Sequence, residues 1–203
     1  MAAPTEYQWV ITSTNYDSNP EHPRWLRFDG VDDYLNLPYM GLYANGSASV
    51  VAGVSMRKVV SAAVNEYLLI ERNSTSVNPL YLLQRRYSSG GGLSSFIRND
   101  TGVSVVDEPQ IAFTGSDANV VSTIDNASSI RSMINGVIKS TTNYIRSGTL
   151  TLNNTTIGAS VSTTTGNYAS MKLYGLIVTR SALTDAQRIA CERYTGRKAG
   201  VIL

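Results

Sequence analysis

At 203 residues, with 42% hydrophobic and 16% charged residues and a formal net charge of +2, the chain is sized for one domain and too sparsely charged for a surface of exposed helices. Its basic residues fall in isolated pairs, Arg85-Arg86 and Arg197-Lys198, not in the stripe that a nucleic-acid partner requires. A single cysteine, Cys191, excludes an internal disulfide, and one histidine beside one cysteine excludes a zinc site.

The N-terminus, Met-Ala-Ala-Pro-Thr-Glu, has neither the basic nor the apolar region of a signal peptide, so synthesis in a cytoplasm is expected. No run approaches the roughly 18 apolar residues of a membrane span, and membrane insertion is not expected. Residues 1–24 read as an N-terminal arm or edge strand, with Tyr7 to Ile11 as the strand and a polar, proline-bearing loop after it. His22 sits in that loop between Glu21 and Pro23, a poor setting for the oriented imidazole of a catalytic triad.

Residues 25–203 read as one domain. Strand candidates run from Trp25 to Phe28, Tyr34 to Leu37, Ala48 to Met56, Tyr67 to Arg72, Leu80 to Tyr87 and Leu93 to Arg98. Others run from Asn119 to Asp125, Ile130 to Ile134, Val137 to Ser140, Thr155 to Ala159 and Met171 to Thr179. In Ala48 to Met56 the even-numbered residues form one apolar face, so one buried face is expected. Asn135-Gly136 predicts a type I′ hairpin, because both residues tolerate positive φ. Gly90 to Gly92, Asp100 to Gly102 and Thr163 to Asn167 read as turns or loops.

One helix is expected, from about Asp185 to Tyr194. Thr184 and Gln187 form a capping box, and Asp185 suits the positive end of the helix dipole. Ala186, Ile189, Ala190 and Tyr194 are spaced for one buried stripe, and Gly196 suits the left-handed position that ends a helix. Cys191 reads as a packing residue. Short strands, frequent turns and one closing helix give an all-β, two-sheet antiparallel jelly-roll sandwich with a short C-terminal helix.

The segment from Trp25 to Leu35, which contains Phe28-Asp29-Gly30 and Asp32-Asp33-Tyr34, resembles the opening of a concanavalin A-like lectin/glucanase (laminin-G-like) domain. Ile130 to Val137 resembles that family's Asn-Gly hairpin, and Arg180 to Ile189 its closing helix. The resemblance implies the same jelly roll and a choice of lectin, hydrolase, adhesion or virion roles. The end of the chain, from Leu173-Tyr174-Gly175 through the helix to Val201, is similar to structural proteins of tailed bacteriophages. That likeness implies a virion protein made in the host cytoplasm: a capsid decoration, head-fibre or tail-fibre domain.

Catalysis is not expected. Glycoside hydrolysis requires two carboxylates about 5–10 Å apart, and the glucanase run Glu-x-Asp-x-Glu is missing. Glu66 and Glu71, five apart on one strand, point to opposite faces unless the strand bulges. Asp29, Asp32 and Asp33 read as turn-forming residues. No cofactor is called for. Calcium would find oxygen ligands at Asn99-Asp100, without a recognisable motif.

Three functions remain open. As a virion protein, the chain would be a homo-oligomer or would contact other capsid or tail proteins, with Trp9, Tyr16, Val201, Ile202 and Leu203 as contact residues. As a lectin-like module, it would bind a cell-surface polysaccharide through Arg85, Tyr87 and Asn99 at a loop rim. As a polysaccharide-cleaving enzyme, it would have to use Glu66 or Glu71.

Overall fold

The computed structural model describes residues 9–11, 25–56, 65–86, 92–108, 111–112 and 118–203, without the side chains of 9–11, 83–86 and 111–112. The strands are β1 (Trp9–Ile11), β2 (Leu26–Asp29), β3 (Leu35–Leu37), β4 (Ala48–Met56), β5 (Glu66–Arg72), β6 (Leu80–Arg86), β7 (Gly92–Arg98) and β8 (Ser104–Asp107). They continue with β9 (Ile111–Ala112), β10 (Asn119–Asp125), β11 (Ser129–Ile134), β12 (Val137–Asn143), β13 (Asn154–Ile157), β14 (Ser160–Val161), β15 (Thr165–Gly166) and β16 (Ser170–Thr179). One helix, α1 (Asp185–Ala199), closes the chain.

All strand pairs are antiparallel. The first sheet runs β1-β16-β4-β10-β11-β12, with β2 also on β16; the second runs β3-β13-β5-β6-β7-β8, with β9 also on β7. Of the strand expected at Tyr7 to Ile11, Trp9–Ile11 is present as β1, which pairs Trp9 with Val178 at the edge of β16; Tyr7 and Gln8 lie outside the described residues. Between the sheets lies an apolar interior that includes Phe28, Val50, Val54, Leu68, Leu93, Ile97, Ile130 and Leu173. Each fully buried side chain of this kind contributes about 1.5–3 kcal/mol.

The even-numbered face of β4 points into this interior, as its alternation predicts. Its other face is buried as well, because α1 lies across the outside of the first sheet. Gly53 permits that close approach: a Cβ there would stand 2.9 Å from the Thr195 carbonyl oxygen.

The helix begins with the expected capping box, Gln187 N donating to Thr184 Oγ1 (3.3 Å) and Thr184 N to Gln187 Oε1 (3.0 Å). It ends five residues later than expected, at Gly200, where φ is +73°. Gly196 lies inside the helix and not at its cap. It is small because a Cβ there would meet the Val201 carbonyl oxygen at 2.9 Å. The buried stripe is also rotated from the expected one. Arg188, Glu192, Thr195, Gly196 and Ala199 face the sheet, and Ile189 is 38% exposed. Polar pairing turns the helix: Arg188 Nη1 meets Glu192 Oε2 at 2.5 Å, and Ser122 Oγ donates to Glu192 Oε1 at 2.7 Å. Buried charge is tolerated when paired in this way.

Asn135 and Gly136 have φ of +50° and +79°, as a type I′ turn demands. Thr163 to Asn167 is not a plain loop, because β14 and β15 pair there as a small hairpin, Ser160 opposite Gly166 and Val161 opposite Thr165.

A bulge in β5 reverses one expectation. Its register shifts between Tyr67 and Ile70, so Leu68 and Leu69 both enter the interior while Tyr67 and Ile70 point outward. Glu66 and Glu71 therefore share the inner face. Glu66 ties the start of β16 in the first sheet to the second, and Glu71 ties down the β3–β4 connection. Ser170 N donates to Glu66 Oε1 (3.0 Å), and Leu42 N and Tyr43 N donate to Glu71 (3.0 and 3.2 Å). Burial, the largest influence, raises the Glu71 pKa against the pull of those bonds. Two carboxylates spent on backbone amides inside the sandwich are ties between layers, not a pair flanking a substrate.

A second tie spans the layers at Asp125, which has no exposed surface. Its Oδ1 accepts from Ala127 N (2.8 Å) and Tyr144 Oη (2.7 Å), and its Oδ2 from Tyr81 Oη (2.7 Å) and Arg146 Nη2 (3.0 Å). The Arg146 guanidinium also lies over the Tyr43 ring, 4.2 Å from its centroid.

Candidate functional site

Among the described residues, no helix covers the outer face of the second sheet. There the bulged β5 turns out Tyr67 and Ile70, which join Leu80, Leu82 and Phe96 in a small apolar floor. The strand register lays a charged line beside it. Arg72 at the end of β5 is opposite Leu80, and Leu80 is opposite Arg98 at the end of β7. The two arginines thus stand two strands apart, roughly 10 Å between backbones. A cavity of about 450 Å³ opens over this surface. Asn65, Tyr67, Leu80 and Phe96 line it with Arg72 and Arg98, Val77 closes one side, and the β14–β15 hairpin forms the other wall.

Among the described residues, the arginines have only neutral partners. Arg72 Nη2 donates to the Val77 carbonyl (2.6 Å) and its Nη1 to Ser160 Oγ. Arg98 Nε donates to the Asn78 carbonyl (2.7 Å) and its Nη2 to the Val77 carbonyl. Arg72 Nε is buried without a partner. Among the described residues, no ion pair involves either side chain. Arg72 is 7% exposed. Burial is the largest influence lowering its pKa; the Tyr67 phenol opposes that shift and the neighbouring Arg98 charge adds to it. A guanidinium fork can bind carboxylate, sulfate or phosphate in charge-assisted bonds, and this one lies in the lining of an open cavity.

Of the residues singled out in the sequence, Asn99 and the three C-terminal residues are described with their side chains, and none of them lines this cavity. Asn99 is 7% exposed, and its Oδ1 accepts from Thr101 N, Thr101 Oγ1 and Val103 N, so it builds the turn after β7. Its neighbour Asp100 accepts from Thr151 N (2.8 Å) and Thr151 Oγ1 (2.7 Å), so the oxygens suggested for calcium serve loop packing. Arg85 lies in β6 opposite Tyr67 and Ser94; its side chain, with Tyr87 and Tyr16, lies outside the described residues. Trp9 is placed by its backbone at the β16 edge. Val201 packs against the cluster under α1, whereas Ile202 is 99% exposed and Leu203 38%.

Asp29, Asp32 and Asp33 bring carboxylate oxygens within 4.8 Å of one another at the surface. They work as a turn: Val31 N donates to Asp29 Oδ1 (2.7 Å) and Asp29 N to Asp33 Oδ2 (3.0 Å). The bond from Val31 N is the main reason the Asp29 pKa is lowered.

Arg72, Arg98, Tyr67 and Phe96 were missed as a group. One signal in the sequence does mark the arginines: each ends a strand and is followed by Asn-x-Thr, in Arg72-Asn73-Ser74-Thr75 and Arg98-Asn99-Asp100-Thr101. In both, the Asn Oδ1 accepts from the Thr amide and hydroxyl two residues on. The same strand end is built twice, and that places the two guanidinium groups side by side.

No protein-family model matches the chain, and no curated protein matches it by sequence. Among solved structures it is similar to the CBM40 domain of the Ruminococcus gnavus IT-sialidase bound to alpha2,3 sialyllactose, with TM-score 0.64 and 18% identity, over 82% of this chain and 94% of that one. It is similar to the NanB sialidase of Streptococcus pneumoniae, with TM-score 0.64 and 13% identity, over 81% of this chain and 26% of that one. The binding domain of botulinum neurotoxin DC in complex with SialylT matches with TM-score 0.64 and 12% identity, over 94% of this chain and 46% of that one. The chain spans about a quarter of the length of the sialidase, but nearly all of the CBM40 domain.

At these identities the likeness is one of fold, the two-sheet lectin-like jelly roll with its closing helix. The near-complete match is to a carbohydrate-binding module and not to a catalytic domain. None of these three neighbours is a virion protein, so the tailed-phage reading rests on the sequence of the chain's end alone.

Proposed function

We propose that the chain is a non-enzymatic, lectin-like module that binds an acidic saccharide in the cavity on the outer face of its second sheet. One observation carries this reading: Arg72 and Arg98 converge on a cavity of about 450 Å³ and, among the described residues, have no carboxylate partner. The apolar floor of Tyr67 and Phe96 suits the less polar face of a sugar ring, and the arginines suit its acid group. The solved neighbours that carry sialylated ligands support the same chemistry. The inner-face ties of Glu66 and Glu71 leave them no role in cleavage.

Calorimetric titration with sialyllactose and with lactose tests the reading. The sialylated sugar is expected to bind, more weakly as salt rises, and lactose is expected not to. Arg72→Met and Arg98→Met should each weaken binding about tenfold to a hundredfold, the worth of a charge-assisted bond. Gly166→Phe should block the cavity without disturbing the fold, because a Cβ at Gly166 meets nothing within 4 Å. Absence of binding across a panel of carboxylated and sulfated glycans, or binding that survives all three substitutions, would refute the proposal.

A place on a virion is a second reading, carried by the likeness of the segment from Leu173 through the helix to Val201 to structural proteins of tailed bacteriophages. It would make the chain an oligomer or a partner of capsid or tail proteins, with the glycan site facing the host. Its check is stoichiometric recovery of the chain in purified particles.

A further inference from the structure

We infer that the β14–β15 hairpin is the specificity element of the cavity: it reads the hydroxyl groups of the ligand, while Arg72 and Arg98 hold its charge. This rests on the acidic-saccharide reading and deepens it. The cavity has two walls of different chemistry. At its base the guanidinium groups offer charge, which any carboxylate or sulfate satisfies. Along the hairpin stand neutral groups: the hydroxyls of Ser162 and Thr164 and the amide of Asn167.

Those groups are unspent. Among the described residues, Thr164 Oγ1 and the Asn167 side chain make no hydrogen bond. Ser162 Oγ makes one long contact, 3.4 Å, to the Thr164 carbonyl. The frame beneath them is firmly tied. Thr156 Oγ1 donates to the Ala159 carbonyl (2.6 Å), Ala169 N to the Gly158 carbonyl (2.7 Å) and Ser162 N to the Thr164 carbonyl (3.1 Å). Ser160 keys the two walls together: it is 2% exposed, and its Oγ accepts Arg72 Nη1. An acid held at Arg72 therefore sits against the hairpin at a fixed distance.

Rigid neutral donors and acceptors at a fixed offset from a charge site discriminate among acids. A ligand with hydroxyls at that offset replaces the water on the hairpin. A ligand without them leaves polar groups unpaired, which is the stronger basis of selectivity.

The test uses the intact chain, titrated with N-acetylneuraminic acid and with cyclohexanecarboxylate, a ring acid lacking hydroxyls. The variant is Thr164→Val with Asn167→Gly; glycine retains the left-handed backbone that Asn167 adopts at φ +55°. The wild-type chain is expected to prefer the polyhydroxylated acid by about tenfold or more. The variant should reduce that preference to within about threefold and leave cyclohexanecarboxylate binding unchanged. A variant that keeps the full preference, or weakens both ligands equally, overturns the hairpin's role. Failure of the wild-type chain to bind either acid overturns the acidic-saccharide reading, and the hairpin's role with it.

Discussion

Two arginines on opposite outer faces of the sandwich are equally buried, Arg188 and Arg72 at 7% exposure each, and they are partnered in opposite ways. Arg188 lies under α1 against the first sheet and meets Glu192, itself 2% exposed, at 2.5 Å. Arg72 lies on the second sheet and meets a serine hydroxyl and a backbone carbonyl. A buried charge is expensive unless paired. The sealed face supplies its own counter-charge; on the other face Arg72 has none among the described residues. The contrast lies in what surrounds each arginine, since exposure alone does not distinguish them.

The largest expected effect falls on the frame that both faces share. Burial, and then the charge of Asp125, raise the pKa of Tyr81 and Tyr144 above the usual 10. A phenol whose pKa rises on folding contributes stability that is complete below pH 10 and lost as pH climbs through the raised value. Denaturation midpoints should hold up to about pH 10 and fall steeply beyond it, with a shallower fall in Tyr81→Phe. If both phenols ionise near pH 10 in the folded chain, by ultraviolet titration, that linkage is absent. Next comes the sealed face: Glu192→Ala leaves Arg188 only its longer contact to Asp185 (3.5 Å) and should cost about 3 kcal/mol in urea unfolding, with glycan affinity unchanged. A loss under about 1 kcal/mol would mean that the pair is dispensable. The smallest change in stability is expected at Arg72→Met, within about 1 kcal/mol of wild type or a gain, because it removes a buried cation that has no counter-charge. That same variant should nonetheless lose ligand, and this split between stability and binding is the sharpest form of the comparison.

Features governed by neighbours in sequence were legible without the fold. Asn135-Gly136 is a turn because both residues accept positive φ, and Thr184 with Gln187 is a cap because three residues bring hydroxyl and amide together. The even-numbered face of β4 was legible because side-chain alternation is a property of the strand itself. The helix stripe was not, because the ion pair to Arg188 and the bond to Ser122 outweigh the apolar Ile189. Nor was the pairing of Glu66 and Glu71 on one face, which depends on a bulge that no residue between them announces.

The candidate site shows the same division. Arg85 and Asn99 stood out in sequence by their place beside flexible, polar stretches, yet Asn99 is spent within its own turn. Arg72 and Arg98 lie 26 positions apart and share only the Asn-x-Thr that follows each, a signal of a turn and not of a site. By itself the sequence determined a two-sheet sandwich closed by a capped helix, because short-range patterns of alternation, turn and cap specify those elements. The Arg188–Glu192 pair also belongs to the local patterns, because four residues along one helix bring the two side chains together. Only the tertiary structure decided that Arg72 and Arg98 share one surface with no acidic partner among the described residues, because strand order sets them either side of Leu80 on β6.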